Sequence, residues 1–266
     1  MSDSARARER LIEILRRWAA PGVLLLLLAI LWESWVRWRD VPRWLLPPPS
    51  AIAETLVVDR ALLVRHTGVT LSEIVLGFAL ALVAGIALGA TIEASTVAER
   101  ALYPLVIASQ TVPVIALAPL FLIWFGYGLL PKVLITALIG FFPIAVNTVD
   151  GLRQTDPDIL DLFRSLGASR WTRFRLAKLP SALPYIFSGA KVAVAVCVIG
   201  AVFGELFGSS QGLGYLLDRS MAQFLTARVF ASITLLSLLG VMLFALVALV
   251  ERLMTPWRRV DGPARH

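Results

Sequence analysis

Six long apolar stretches, separated by polar connections, limit this chain to one class of fold. A helix needs roughly 20 mainly apolar residues to cross a bilayer, and each stretch approaches or exceeds that length. Apolar residues make up 58% of the sequence, against about 45–50% in a soluble domain. The sequence therefore predicts an all-α polytopic membrane protein. Its predicted spans are residues 21–36, 67–92, 101–125, 132–149, 185–206 and 229–249.

The third predicted span is interrupted by Pro104, Pro113 and Pro119. Proline frees a backbone carbonyl, which a bilayer tolerates only when the carbonyl is buried in protein or lines a water-filled path. We interpret this segment as part of a translocation path; a kinked helix that only packs against its neighbours is the alternative. The residues predicted to line the path are Ser109, Gln110, Thr111, Pro113, Asn147 and Glu205.

Three polar residues of the later spans also have interpretations that involve no transport. Asn147 is predicted to form a hydrogen bond to another helix. Lys191 and Glu205 are assigned to positions near span ends, where solvation at the interface avoids the roughly 2.5–3.5 kcal/mol cost of a charge at mid-span.

Shorter features accompany the spans. Ser50 follows three prolines and is predicted to cap a surface helix over residues 51–64, because a serine hydroxyl can accept a hydrogen bond from the first helical turn. A second amphipathic segment is predicted over residues 213–224. Gly85 and Gly89 form a Gly-x-x-x-Gly pair, which lets another helix approach closely.

The connection between the fourth and fifth spans, residues 150–184, contains a short amphipathic helix. Asp156 suits its N-cap and Pro157 its first position, while Gly167 suits the positive φ that often follows the last turn. An apolar stripe is formed by Ile159, Leu162, Phe163 and Leu166. Such a stripe must be buried against something, and no other part of the chain offers a large soluble surface. The sequence therefore predicts contact with a second, soluble protein.

The positive charges predict the orientation of the chain. Six spans place both termini on one side, together with the connections 91–100 and 150–184. That side carries sixteen lysines and arginines and the other side eight, and cytoplasmic loops are enriched in these residues. We therefore expect residues 1–19 and 257–266 to be cytoplasmic tails of a single transmembrane domain, residues 20–256.

Several chemistries find no support in the sequence. It has no G-x-x-x-x-G-K-[ST] motif, so it lacks a P-loop for a nucleoside triphosphate. Its histidines, His66 and His266, and its one cysteine, Cys197, form no catalytic or metal-binding constellation. The formal net charge of +7 is better explained by membrane topology than by phosphate contacts. We expect no catalytic, cofactor or metal site and no nucleic-acid partner.

The 150–184 connection resembles the "EAA" loop, the cytoplasmic loop typical of bacterial ABC-importer permeases. The family pattern is Glu-Ala-Ala, a glycine after three further residues, and later Ile-Pro or Leu-Pro. The corresponding residues here are Asp161-Leu162-Phe163, Gly167 and Leu179-Pro180. The acid is kept, and larger apolar residues replace both alanines. Segments similar to permeases of the nitrate, sulfonate and taurine type lie at residues 46–50, 110–126 and 212–215.

This resemblance implies a type I ABC-importer permease in the bacterial inner membrane, without ATPase activity of its own. It also implies two ATP-binding cassette subunits, which would hold ATP and magnesium, and a second permease chain, identical or closely related. A solute-binding protein outside the cytoplasm and membrane lipid complete the implied partners. The residues implied to couple the chain to the ATPase are Ile159, Asp161, Leu162, Phe163, Leu166 and Gly167.

The resemblance extends to a substrate class. Residues 116–126 and 199–205 look more like permeases for thiamine-precursor pyrimidines or riboflavin than like those for sulfonates. An importer of sulfonate, taurine or nitrate is the alternative. An ion-coupled secondary transporter is a less favoured alternative, because such proteins show inverted repeats and binding sites near the bilayer midplane, and we find neither the repeats nor acidic residues at mid-span.

Overall fold

The computed structural model describes residues 3–259 and, among them, the side chains of residues 19–257. This part of the chain is helical and has no strand, which confirms the predicted fold class. In chain order the helices are α1 (Asp3–Trp38), α2 (Pro49–Val58), α3 (Arg60–Ala94), α4 (Thr96–Ser109), α5 (Val114–Phe125), α6 (Leu129–Arg153), α7 (Pro157–Ser165), α8 (Arg170–Arg173), α9 (Leu179–Leu206), α10 (Leu213–Ala222) and α11 (Thr226–Met254). A π-helical turn, Phe174–Lys178, joins α8 to α9, and a 3₁₀ turn covers Pro256–Arg259. The predicted 257–266 tail lies outside the described residues from position 260 onward.

Within the described residues, five helical stretches are long and apolar enough to cross a membrane. They are Ala19–Trp38, Arg60–Ala94, Leu129–Arg153, Arg170–Leu206 and Thr226–Met254. Helices α4 and α5 pass the same test together, but the pair is bent by 99°. The break lies at residues 110–113, so the predicted interruption of the third span is confirmed, whereas its sharp change of direction was not predicted.

The predicted boundaries around the second span were wrong. Helix α2 ends at Val58 and α3 already begins at Arg60, so the surface helix is shorter and the span longer than predicted. Ser50 is not the N-cap, because Pro48 occupies that position. A proline at the start of a helix has no N–H that needs a partner, and the Ser50 hydroxyl instead donates to Glu33 Oε1 at 2.8 Å.

The fifth span also begins earlier than predicted. Helix α9 starts at Leu179 and includes Pro184, and helical structure extends back to Arg170. Pro180 lies in the first turn of α9, directly after the π-helical turn. Because proline lacks an N–H, it leaves a carbonyl one turn earlier without its usual donor, and a local π-turn is one way in which a helix accommodates such a gap.

The chain divides into two compact units. The first comprises the residues up to Ala61 and Arg219–Ala231. Within it, the Glu33 carboxylate accepts hydrogen bonds from Ser50 N at 3.0 Å and from Arg37 Nε at 2.6 Å. Arg228 Nε donates to Asp59 Oδ2 at 2.8 Å. The Glu33 bonds fix the connection between α1 and α2.

The second unit, Leu62–Asp218 with the chain from Ser232, is packed closely around α6. A Cβ added at Gly85 would lie 2.8 Å from Ile144 Cγ2, and one added at Gly89 would lie 2.6 Å from Thr148 Cβ. The close approach predicted for this glycine pair is therefore confirmed, with α6 as the neighbour. On α9, the glycines whose added Cβ would meet α6 are Gly189, Gly200 and Gly204.

Ion pairs show how the helices of the second unit run. Lys178, at the start of α9, pairs with Glu93 at the end of α3. Lys132, at the start of α6, pairs with Glu73 in the first half of α3 at 2.6 Å. Helices α3 and α6 therefore run in the same direction and α9 runs against them. We call the end of this bundle where α6 finishes and α9 begins the α7 end.

The bent pair α4–α5 connects the two ends of the bundle. Glu99, near the start of α4, pairs with Arg153, the last residue of α6, at 2.6 Å, so α4 starts at the α7 end. Helix α5 finishes at Phe125, and only Gly126–Gly128 separates it from the start of α6 at the opposite end. Together α4 and α5 pass from one end of the bundle to the other, as a single broken span would.

Candidate functional site

Helix α7 is closed at both ends by the residues that the sequence predicted. Asp156 is the N-cap, and its Oδ1 accepts a hydrogen bond from Asp158 N at 2.9 Å. At the other end Gly167 has a φ of +71°. Ala168 N donates to Phe163 O at 2.9 Å and Gly167 N donates to Arg164 O at 3.0 Å, which is the Schellman pattern. These caps make α7 a defined nine-residue helix.

The apolar stripe of α7 is largely open to the surroundings. Ile159, Leu162 and Leu166 are 43%, 57% and 74% exposed, and none of the nine residues of α7 is buried. Phe163 and its neighbour Leu160 are half-buried and mark the side that faces the rest of the chain. An exposed apolar stripe on a capped helix is the expected form of a partner-binding surface, while its role in coupling stays a prediction.

Asp161 lies beside this stripe and forms a surface ion pair. Arg164 Nη1 donates to Asp161 Oδ1 at 2.5 Å, one helical turn away, and both side chains are exposed. An exposed pair of this kind contributes only about 0–1 kcal/mol. Asp161 and Arg164 therefore remain available for contacts with another protein.

A further exposed aromatic residue near α7 was missed by the sequence reasoning. Trp171 of α8 is exposed, and its ring stacks on Phe174 with 5.8 Å between centroids. Leu176, in the π-helical turn, is exposed as well. The signal was present in the run Arg170–Lys178, where apolar and basic residues alternate, but the charges there were interpreted only as topogenic.

The two chain segments that carry α7 are anchored to the bundle. The Arg153–Glu99 pair described above holds the preceding segment, and the Arg153 guanidinium also lies over the Tyr103 ring at 5.0 Å. Lys178 is held by Glu93 on the following side. The segments before and after α7 are therefore tied to α4 and α3 by ion pairs.

Four of the residues predicted to line the translocation path lie at the break between α4 and α5 and differ in exposure. Gln110, Thr111 and Pro113 are exposed at the break between α4 and α5, and Ser109 is half-buried there. The Ser109 and Thr111 hydroxyls donate to carbonyls of α4, those of Val106 and Ala108. Their role in a path stays a prediction.

The hydrogen-bond partners of Asn147 and Lys191 differ from the predicted ones. Asn147 Nδ2 donates to Pro143 O of its own helix at 2.8 Å, so the predicted bond to another helix was wrong. The reason is that a carbonyl one turn earlier lies within reach of a short amide side chain. Lys191 Nζ donates to Glu251 Oε2 of α11 at 2.7 Å; it is paired with a carboxylate, not solvated alone at the interface.

Glu205 is fully buried, so its predicted solvation at the interface was wrong. Thr70 Oγ1 donates to Glu205 Oε1 at 2.6 Å, and Gly214 N donates to Oε2. Gly212 packs so closely on this carboxyl group that an added Cβ would overlap it. Sequence reasoning missed this site because the donors come from distant parts of the chain.

Glu205 belongs to a buried polar cluster at the end of the bundle opposite α7. Gly212 N donates to His66 Nδ1 at 2.9 Å, and Leu213 N donates to Thr70 Oγ1 at 2.8 Å. Lys132 Nζ donates to Glu73 Oε1 at 2.6 Å and to Ser209 Oγ at 2.8 Å. We call the residues 209–215 the polar turn, since side chains of α3, α6 and α9 bind its backbone or side chains. Among the described residues, no group of three or more His, Cys, Asp and Glu side chains is placed to hold a metal ion.

Comparison with known proteins gives one consistent result. Residues 77–256 match the family described as binding-protein-dependent transport system inner membrane component. The chain is 42% identical over 239 residues to a formylaminopyrimidine transport permease of Halalkalibacterium halodurans, covering 90% of this chain and 96% of that relative. It is 38% identical to a riboflavin transport system permease of Chloroflexus aurantiacus, covering 90% and 91%. Among solved structures, the inward-facing MetNI methionine ABC transporter matches with a TM-score of 0.67 at 20% identity, covering 74% of this chain and 98% of that one, a likeness of fold.

Proposed function

This chain belongs to the family of binding-protein-dependent transport inner-membrane components, and from that premise we propose that it is the permease subunit of an ABC importer for a small nitrogen heterocycle. The observation that carries the proposal is a match along nearly the whole chain, at 42% identity, to a permease named for a formylaminopyrimidine. The chain forms the membrane path, and ATP is hydrolysed by separate subunits.

The exposed stripe of α7 is the surface that such subunits would bind. Ile159, Leu162 and Leu166 provide the apolar contact, and the exposed Trp171 extends it along the chain. Burying an exposed leucine or isoleucine contributes about 1.5–3 kcal/mol at most, so three partly exposed residues account for a specific but modest attachment. Two ATP-binding subunits would each bind the α7 of one permease chain.

A second permease chain completes the path. The break at 110–113 leaves polar groups of Gln110 and Thr111 on the exposed side of this chain, and a bilayer tolerates such backbone only where protein or water covers it. We therefore assign the exposed side of the α4–α5 break to the interface with the second chain and to the path between the two. A solute-binding protein outside the cytoplasm supplies the substrate.

The orientation follows from the charge distribution, with α7 and both termini in the cytoplasm of a bacterial inner membrane. Cysteine labelling tests it, because the native Cys197 is fully buried and should give little background. We expect Ser165→Cys, on α7, to react with a membrane-impermeant maleimide only in inside-out vesicles. Gln211→Cys, an exposed position of the polar turn, should react only from outside. The reverse pattern would overturn the coupling role of α7.

Co-purification and ligand binding test the remaining parts separately. An ATP-binding subunit should accompany the chain in mild detergent; transport without one would favour a secondary transporter. The solute-binding protein that delivers to this chain is then titrated with formylaminopyrimidine, riboflavin and taurine. We expect it to bind one of the two heterocycles, and binding of taurine alone would refute the substrate while leaving the permease assignment intact.

A further inference from the structure

The buried polar cluster contains two carboxyl groups with shared neighbours. Glu73 and Glu205 are both fully buried; Glu205 binds Thr70, one turn before Glu73 on α3, and Lys132, which binds Glu73, packs against Gly204, the residue before Glu205. Glu73 Oε1 accepts from Lys132, but Glu73 Oε2 is buried without any donor. Buried polar atoms are nearly always satisfied in native proteins. If both carboxyl groups are ionised, Glu73 Oε2 therefore lacks a hydrogen-bond donor.

The cluster itself can supply the missing donor. Lys132 reaches Glu73 Oε1 and Ser209 but not Glu73 Oε2, and the Thr70 hydroxyl donates to Glu205. His66 Nδ1 faces the backbone of Gly212, with the N atom at 2.9 Å and the O atom at 3.0 Å, so this nitrogen is occupied by Gly212 in either tautomer. Two carboxylates have no hydrogen to exchange, but one added proton gives one of them an O–H that the other accepts.

Charge balance leads to the same result. Among the described residues, the ionisable side chains bound into the cluster are those of His66 and Glu73 on α3, Lys132 on α6 and Glu205 on α9. Arg65, beside His66, is exposed to the surroundings, and the Tyr215 ring stacks on His66. With His66 neutral and both carboxyl groups ionised, one positive charge would face two negative charges in the protein interior. An uncompensated buried charge costs several kcal/mol, and two carboxyl groups in close contact commonly hold one proton between them. One bound proton makes the cluster neutral.

We propose that Glu73 and Glu205 form a proton-binding site that holds a single shared proton. The protonated pair, with Lys132, links α3, α6 and α9 to the polar turn at the end of the bundle opposite α7. The site needs neither a substrate nor an ATPase, so it does not depend on the proposed function. With one bound proton, Glu73, Glu205 and Lys132 together carry no net charge and connect three helices.

Infrared spectroscopy of the purified full chain near neutral pH tests the site directly. A protonated carboxyl group gives a carbonyl stretch separate from the carboxylate bands, and it shifts when the proton is replaced by deuterium. We expect this band in the unmodified protein and its loss in both Glu73→Gln and Glu205→Gln, because the glutamine amide then supplies the hydrogen. Glu251→Gln is the matched control: Glu251 also pairs with a lysine, Lys191, and its removal should leave the band unchanged.

The outcomes separate the shared proton from other arrangements. Absence of the band in the unmodified protein, or its survival in both glutamine variants, would overturn the proposal. Loss in only one variant would place the proton on that residue alone and would refute sharing. Thermal unfolding adds a readout: either single variant should melt near the unmodified protein, whereas the double variant, which leaves Lys132 without a counter-charge, should melt lower. A double variant as stable as the singles would also contradict the proposal.

Discussion

Truncation of one stripe residue, Leu162→Ala, should weaken attachment of the ATP-binding subunit about tenfold. The substitution removes three carbon atoms, each worth about 0.8 kcal/mol when fully buried. Leu162 is 57% exposed in the isolated chain, so a partner can bury about that fraction of its side chain. The same fraction of the full burial free energy is about 1.4 kcal/mol. A change of 1.4 kcal/mol is about tenfold in affinity. The helix should persist, because alanine favours helix at least as strongly as leucine.

The assay is a titration of the purified chain in detergent with the ATP-binding subunit that co-purifies with it. Leu246→Ala is the matched control, because Leu246 is 55% exposed but lies within the apolar span of α11 and should face lipid. We expect the control to bind as the unmodified chain does. Equal affinities for both variants and the unmodified chain would refute the reasoning, since the stripe would then bury nothing on docking.

Three further substitutions test the coupling loop and the packing of the bundle. Gly167→Val should abolish uptake without preventing membrane insertion. A non-glycine residue at a φ of +71° costs roughly 1–2 kcal/mol and loosens the end of α7. Normal uptake by this variant would contradict the prediction. Asp161→Lys should also abolish uptake, measured beside unchanged thermal stability, since its pair with Arg164 is exposed. Gly89→Val should lower the melting temperature, because overpacking costs typically about 1–3 kcal/mol. Gly68→Val should not lower it, because the space around Gly68 is open. Equal melting temperatures for the two variants would refute the close contact between Gly89 and α6.

Local patterns predicted those parts of the fold that depend on neighbours in the sequence. The caps of α7 were identified correctly because Asp156 and Gly167 act on backbone groups within a few residues. The glycine pair of α3 indicated a close contact because the absence of a side chain is visible in the sequence. The prediction for Ser50 failed because a bond to Glu33, seventeen residues away, replaced the local cap.

The buried cluster shows why the remaining features could not be predicted. Thr70 and Glu205 are 135 residues apart, and Lys132 and Glu73 are 59 apart, so no spacing within a helix indicates either contact. From the sequence, Glu205 was placed in solvent near a span end, and Glu73 was not singled out. Only the packing of α3, α6 and α9 makes burial possible, because it brings donors from α3, α6 and the backbone of the polar turn to the two carboxyl groups.

The same packing determines how a movement of α7 can reach the far end of the bundle. The backbone of α7 continues directly into α6 on one side and through α8 into α9 on the other. Glycine contacts between α6 and α9 leave no room for a side chain at Gly189 or Gly200, so the two helices can hardly slide past each other. At the far end, Glu205 and Lys132 bind the polar turn. We therefore expect a displacement of α7 to carry α6, α9 and the polar turn together. We expect the chain to change shape instead at the bend between α4 and α5, which lies outside those contacts.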